Sequence, residues 1–86
     1  MAKREKEKDT PANSKVIQFL QAIRQSRSSM CDARERMYQR VKTLLQHKAA
    51  APEELDKVSL DFEEAKIRLA EAEIAILKAQ SQGNHE

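Results

Sequence analysis

Glycine, proline and aromatic residues are scarce in this sequence. Its 86 residues include one glycine, two prolines, two phenylalanines, one tyrosine and no tryptophan. Because strand-rich folds need many turns built from glycine and proline, this scarcity excludes a sheet of several short strands. Alanine, leucine, glutamate, lysine, arginine and glutamine, which favour helices, dominate instead. The composition predicts an all-α chain, and the length allows one small domain.

Sequence signatures of catalysis, of metal binding and of cofactor binding are missing as well. The single glycine leaves no glycine-rich phosphate loop. Cys31 is the only cysteine, so it cannot form an intramolecular disulfide, and no histidine or aspartate spacing marks it as a nucleophile. We therefore expect no catalytic residue, no metal, no cofactor and no small-molecule substrate, which means a non-enzymatic protein.

Long apolar runs are absent too. The longest run of bulky apolar residues is "IAIL" at 74–77, far short of the ~20 residues that span a bilayer. The N-terminal "MAKREKEKD" has no apolar segment behind it that could act as a signal peptide. These two features, with the lone cysteine, predict a cytoplasmic protein without a membrane span.

The distribution of charge, proline and glycine divides the chain into four segments. Residues 1–10 alternate basic with acidic side chains and are expected to be a disordered charged tail. Pro11 suits the start of a first helix over about 11–48, and "KAAAPEE" predicts a turn at about 49–51. Pro52 suits the start of a second helix over about 52–81, and Gly83 suits its stop. Residues 11–82 are thus predicted to form a two-helix antiparallel hairpin, coiled-coil-like, followed by a disordered C-terminus at 83–86.

Both predicted helices carry an apolar stripe at heptad spacing, which is typical of two helices packed along their length. The stripe of the first helix is predicted to use Val16, Ile23, Met30, Met37 and Leu44, with Leu20, Arg27, Arg34 and Val41 at the alternating positions. Ile17, Cys31, Tyr38 and Leu45 widen it on one side, and Phe19 and Ala33 on the other. The stripe of the second helix is predicted to use Leu55, Val58, Phe62, Ala65, Leu69, Ala72, Ile76 and Ala79.

The second helix has a further apolar stripe, which lies about 150° around the helix from the first at 100° per residue. Its members are Leu60, Ile67, Ala70, Ile74 and Leu77. One neighbouring helix cannot cover two nearly opposite faces, so this stripe is predicted to be an interface. The expected partner is another protein or, more specifically, a second copy in a homodimer, because a lone hairpin of this size is marginally stable.

The two helices have opposite charge. Residues 15–48 contain eight Lys/Arg and two Asp/Glu, a net of +6, and residues 49–86 contain four and nine, a net of −5. The antiparallel register predicts structural ion pairs, within the chain or across a dimer, between seam arginines and helix-2 carboxylates. Arg27 would pair with Glu71 or Glu73, and Arg34 with Glu63 or Glu64.

Five arginines in residues 23–40 also permit an alternative function. A dimeric regulator could bind nucleic acid through the basic face of the first helix, using Arg24, Arg36, Arg40 and Lys42. No aromatic side chain accompanies these residues outside the apolar face. The residues therefore favour an interaction module, meaning a small chaperone, an adaptor or an assembly or regulatory subunit.

A long first helix, the break at "KAAAPEE" and an Ala/Ile-rich second helix ending in "RLAEAEIAILKAQ" together resemble a known layout. It is that of the small α-hairpin co-chaperones of type III secretion needle subunits. The resemblance covers about residues 15–81 and rests on pattern. It implies a protein that holds an aggregation-prone secretion subunit together with a partner chaperone.

Overall fold

The chain forms two long helices that fold back on each other. The structure, a computed structural model, describes the backbone of residues 2–84 and the side chains of residues 14–82. Helix α1 spans Ala2–Gln46 and helix α2 spans Pro52–Asn84, and the described residues contain no strand. Arg27 of α1 meets Arg68 of α2, whereas Tyr38 meets Phe62, so the helices run antiparallel. The molecule is a rod with extents of 70 × 16 × 11 Å. The predicted all-α hairpin is confirmed.

The outer ends of both helices differ from the predicted bounds. Helix α1 begins at Ala2 rather than near residue 11, so the backbone of the predicted disordered tail is helical from its second residue. Alanine, lysine, arginine and glutamate are strong helix formers, and residues 2–8 consist of these four types alone. Helix α2 continues through Gly83 to Asn84. The remaining residues of the predicted disordered C-terminus, 85 and 86, lie outside the described residues.

The turn between the helices begins with a Schellman motif that closes α1. Lys48 has a φ of 59°, in the left-handed region. Its N–H donates to the Leu45 carbonyl at 2.9 Å, and the Ala49 N–H donates to the Leu44 carbonyl at 2.7 Å. These two bonds satisfy carbonyls that the helix end would otherwise leave without a donor. The turn predicted at about residues 49–51 is therefore confirmed, and in the structure the connection comprises residues 47–51.

Replacing Lys48 with glycine is expected to stabilise the hairpin. A left-handed conformation is strained for a residue with a Cβ and is unstrained for glycine, the usual residue at this position. We expect Lys48→Gly to raise the free energy of unfolding by about 1 kcal/mol, measured by urea unfolding followed by circular dichroism. Lys48→Ala is the control, because it removes the charge and keeps the Cβ. An equal gain from Lys48→Ala would show that charge, not backbone strain, limits the turn.

Helix α2 begins with a side-chain cap that the sequence did not reveal. Ala51 precedes the helix, and its N–H donates to Glu54 Oε1 at 2.7 Å. The Glu54 N–H donates back to the Ala51 carbonyl at 3.0 Å. A glutamate three residues after the cap position commonly makes this contact. Together with Glu53, it also places negative charge in the first turn, where the helix dipole favours it.

The predicted seam of α2 is confirmed. Ala65, Ala72 and Ile76 are buried, and the remaining members of the predicted set are half-buried. Alanine at every second seam position lets the two backbones approach closely, while the large side chains between them fill the remaining space. Phe62 packs against Tyr38 of α1 with ring centroids 5.9 Å apart.

The predicted seam of α1 is wrong by about one position around the helix. Cys31 and Val41 are buried, and Ile17, Tyr38 and Leu45 are half-buried. These side chains belong to the flank and the alternating positions of the predicted stripe. The predicted principal members, at 16, 23, 30, 37 and 44, are instead 40–52 % exposed. Because the observed seam lies about one position away from the predicted one, the regular apolar repeat at positions 16, 23, 30, 37 and 44 is not packed against α2.

Candidate protein-interaction surfaces

The outer face of α2 carries an uncovered apolar surface, here called the α2 outer stripe. It consists of Leu60, Ile67, Ala70, Ile74 and Leu77, the residues that the sequence predicts as an interface. The four large side chains range from 50 % exposed at Ile74 to 70 % at Leu60, and Ala70 is exposed as well. The seam residues of α2 face α1, so the hairpin itself leaves this stripe open.

Helix α1 carries a second uncovered surface, here called the α1 outer stripe. Its members are Val16, Phe19, Ile23, Met30, Met37 and Leu44. They range from 40 % exposed at Leu44 to 73 % at Phe19. Met30 and Met37 line an open groove together with Ala33 and Arg34. Sequence reasoning found this heptad repeat but placed it against α2, so it missed the repeat as a second surface.

Apolar side chains are more exposed than buried in this hairpin. Ten large apolar residues among the described side chains are exposed, and the buried apolar set is Cys31, Val41, Ala65, Ala72 and Ile76. None of the large side chains within residues 14–82 is fully buried. A small domain with so little interior gains most of its further stability by covering surface against another chain.

The acidic residues beside the α2 outer stripe are partly paired within α2. Lys66 Nζ lies 2.8 Å from Glu63 Oε2, and Arg68 Nη2 lies 3.1 Å from Glu64 Oε2. The hydrogen bond that Lys66 donates to Glu63 raises the pKa of the lysine above its ordinary value. Both pairs are well exposed, so they are screened by water and contribute little to stability.

The predicted ion pairs of Arg27 and Arg34 do not form within the chain. Arg27 Nη1 instead donates to the backbone carbonyl of Arg68 at 3.0 Å. Arg34 is exposed, and neither arginine has a salt bridge among the described side chains. Arg34 lies in the same column of α1 as Arg27 and Val41, but its side chain is exposed. Glu63 and Glu64 pair with Lys66 and Arg68 of their own helix. Pairs across a dimer stay a prediction.

The residues predicted as a basic nucleic-acid face do not share a face. Arg24 is half-buried in the seam column of Ile17 and Cys31. Lys42 lies on the same side of α1 about five turns later, with Nζ 5.9 Å from the Tyr38 ring centroid, whereas Arg36 and Arg40 lie roughly 120–160° further around the helix. Arg36 and Arg40 border an open groove that also contains the carboxylates of Asp32 and Glu35. This scattering gives little support to a phosphate-binding surface, which needs concentrated positive charge.

The described part of the chain has neither a cluster of metal ligands nor a membrane-spanning helix. No group of three or more His, Cys, Asp or Glu side chains there is arranged to hold a metal ion. Over the same residues, neither helix has a stretch long and apolar enough to cross a membrane.

The fold and its two outer stripes define the class of molecule: an antiparallel α-hairpin with unpartnered apolar surfaces on both helices. Comparison with known proteins adds no relative, because no protein-family model, curated protein or solved structure matches the chain.

Proposed function

We propose that this protein is a non-enzymatic protein-interaction module that buries the α2 outer stripe against a partner helix or a second copy of itself. The observation that carries the proposal is the exposure of four large aliphatic side chains at helical spacing on one face of α2. A contiguous apolar stripe of this kind on a small protein usually marks an interface. The regular spacing favours a helical partner, which would contact the stripe along its length.

The size of the apolar surface supports association. Full burial of one large aliphatic side chain is worth roughly 1.5–3 kcal/mol, and over half of that is still available at most of these positions. For four side chains this amounts to roughly 4–7 kcal/mol, and a partner that buries an equal area about doubles it. That sum is comparable with the entropic cost of joining two chains, so the polar contacts at the edge of the stripe would decide the affinity.

Within this class, the proposed role is that of a small chaperone, an adaptor or an assembly or regulatory subunit in the cytoplasm. The resemblance to α-hairpin co-chaperones of type III secretion would make the partner a secretion subunit. An exposed apolar helix face suits such a role, because it can cover the apolar face of an aggregation-prone helix.

Site-specific photo-crosslinking in the native host tests the proposal. A benzophenone side chain in place of Ile67 lies at the centre of the α2 outer stripe and reacts with C–H bonds of whatever covers it. We expect a discrete crosslinked product, to a second copy or to another protein, which mass spectrometry can identify. The same probe in place of Gln39, an exposed residue on the polar side of α1, is the control and is expected to give no discrete product. Products from Gln39 and none from Ile67 would contradict the proposal.

A further inference from the structure

The α1 outer stripe has a charged border of one sign. On a helix, the surface neighbours of a residue are those three and four positions away. Among the described residues within α1, the charged neighbours of the stripe are Lys15, Arg27, Arg34 and Arg40. The two acidic residues of this part of α1, Asp32 and Glu35, occupy none of these positions. A helix that covers the stripe therefore meets positive charge from the α1 side chains that border it.

The α2 outer stripe has a mainly acidic border. The same three- and four-residue rule gives five carboxylates, at Asp56, Glu63, Glu64, Glu71 and Glu73, and three lysines, at positions 57, 66 and 78. Glu63 and Glu64 already bond to Lys66 and Arg68. Glu71 and Glu73 form no salt bridge within the described side chains and are exposed. The centre of this stripe thus offers two carboxylates to a partner.

The two stripes match each other in period and in length. The α1 stripe repeats every seven residues from Val16 to Leu44, and the α2 stripe repeats every seven from Leu60 to Ile74. At 1.5 Å per residue, they run for about 42 Å and, to Leu77, about 26 Å, so the α2 stripe fits within the α1 stripe. Two apolar helix faces of the same period can pack with side chains interdigitated along their length.

We infer that the occupant of the α2 outer stripe is the α1 outer stripe of a second copy of this chain. Arg34 and Arg40 of one copy then face Glu71 and Glu73 of the other, which places the arginine–glutamate pairs between chains rather than within one. Complementary charge favours this pairing of unlike faces, whereas two α1 stripes or two α2 stripes would bring like charges together. The inference rests on the proposed function, because it names the partner that covers α2.

The placement of the stripes makes this contact head-to-tail. Met30 lies about 100° around α1 from the seam residue Cys31, whereas the α2 stripe lies about 150° around α2 from its seam. The two stripes therefore do not share one face of the hairpin. A contact between unlike faces leaves one free stripe at each end of a pair, so further copies can add until a ring closes. We expect the mass of the wild-type protein to rise with concentration beyond that of two chains.

Mixing two disabled variants tests the inference. Met30→Glu with Met37→Glu disables the α1 stripe, and Ile67→Glu with Ile74→Glu disables the α2 stripe. All four side chains are at least 42 % exposed, so each variant is expected to keep wild-type helicity by circular dichroism. In light scattering each variant alone should have the mass of one chain, 9.9 kDa. An equimolar mixture should form a pair of about twice that mass, because each variant retains the face that the other lacks.

Each alternative has its own signature in this experiment. Self-association of the Met30/Met37 variant alone would overturn the inference in favour of α2-to-α2 pairing, and self-association of the Ile67/Ile74 variant would do so in favour of α1-to-α1 pairing. A wild-type protein that stays a single chain at every concentration would also overturn it. The proposed function survives that last result if Ile67 crosslinks to a different protein in the host.

Charge-reversed variants keep the test decisive if the glutamate substitutions in the stripes reduce helicity. Arg34→Glu with Arg40→Glu and, separately, Glu71→Arg with Glu73→Arg leave both apolar stripes intact. Each variant alone juxtaposes like charges and should associate at least tenfold more weakly than wild type. Their mixture restores opposite charges at both contacts and should recover the wild-type mass. A mixture no heavier than its components would overturn the inferred pairing.

Discussion

Replacing Ile76 with alanine is expected to unfold a large fraction of the isolated hairpin. Ile76 is 8 % exposed and is the largest aliphatic side chain in the buried set. Its truncation removes buried apolar area and leaves a cavity beside the close-packed alanines, at a cost of about 2–5 kcal/mol. A two-helix domain of this size has little stability in reserve, so a loss of that order reaches the scale of its whole folding free energy. Urea unfolding at dilute concentration, followed by circular dichroism, measures the loss.

Ile74→Ala is the matched control for this prediction. It makes the same substitution two residues earlier in the same helix, with the same change in helix propensity, but Ile74 is 50 % exposed on the α2 outer stripe. We expect a loss of less than about 1 kcal/mol in the dilute monomer. Equal losses at both positions would mean that the seam between the helices is not the source of stability.

Replacing both Arg27 and Arg34 with leucine is expected to preserve the hairpin and to stabilise it. Arg27 is half-buried and donates to the Arg68 carbonyl. That carbonyl lies inside α2, where the helix supplies its own donor, so removal of the arginine leaves no unpaired backbone group. Leucine at position 27 places apolar surface in the seam instead, and we expect a gain of about 1 kcal/mol in the free energy of unfolding.

The single variants separate the two arginines. Arg27→Leu should carry nearly the whole gain, whereas Arg34→Leu should change the stability of the dilute monomer by less than about 0.5 kcal/mol, because Arg34 is exposed. Thermal and urea unfolding provide the measurement. A marked loss of helicity in Arg27→Leu would show that its contact with the Arg68 carbonyl matters more than apolar packing at this position.

The seam of α2 was predictable because only one face of this helix combines seam spacing with alternating large and small side chains. From Phe62 onward, large residues alternate with alanine at seam spacing, and this combination of size and period fits one close-packed face. The outer stripe of α2 has the same period but fewer small residues. Hydrophobicity and side-chain volume together therefore identified the face of α2 that packs on α1 and the apolar face that the hairpin leaves exposed.

The α1 seam was not predictable from hydrophobicity alone. Either of two neighbouring columns of α1 could form the seam. The column with Met30 and Met37 is more apolar than the column with Arg24, Cys31 and Tyr38. The structure selects the second column, where Tyr38 packs on Phe62 and Cys31 is buried. Which column of α1 packs against α2 depends on the shape of the α2 surface opposite it. The sequence pattern of one helix contains no information about that shape.

The end of α1 could not be predicted from the sequence, for a different reason. Proline at position 52 and the acidic residues after it predicted where α2 starts, but no glycine marks where α1 ends. The left-handed residue is Lys48, a residue type that gives no sign of this conformation. Its carbonyl-capping bonds depend on backbone geometry that the side chains do not specify.

The rate at which the single thiol of this protein is labelled can report how often its two helices separate. Cys31 is buried in the seam, well away from the turn. Because Cys31 is 9 % exposed, an alkylating reagent should reach its sulfur mainly when the helices part there, so the labelling rate reports opening events without any added probe. Because the chain contains no second cysteine, every modified molecule reports the same position. Labelling at rising protein concentration would then show whether contact with other copies slows the opening of the individual hairpin.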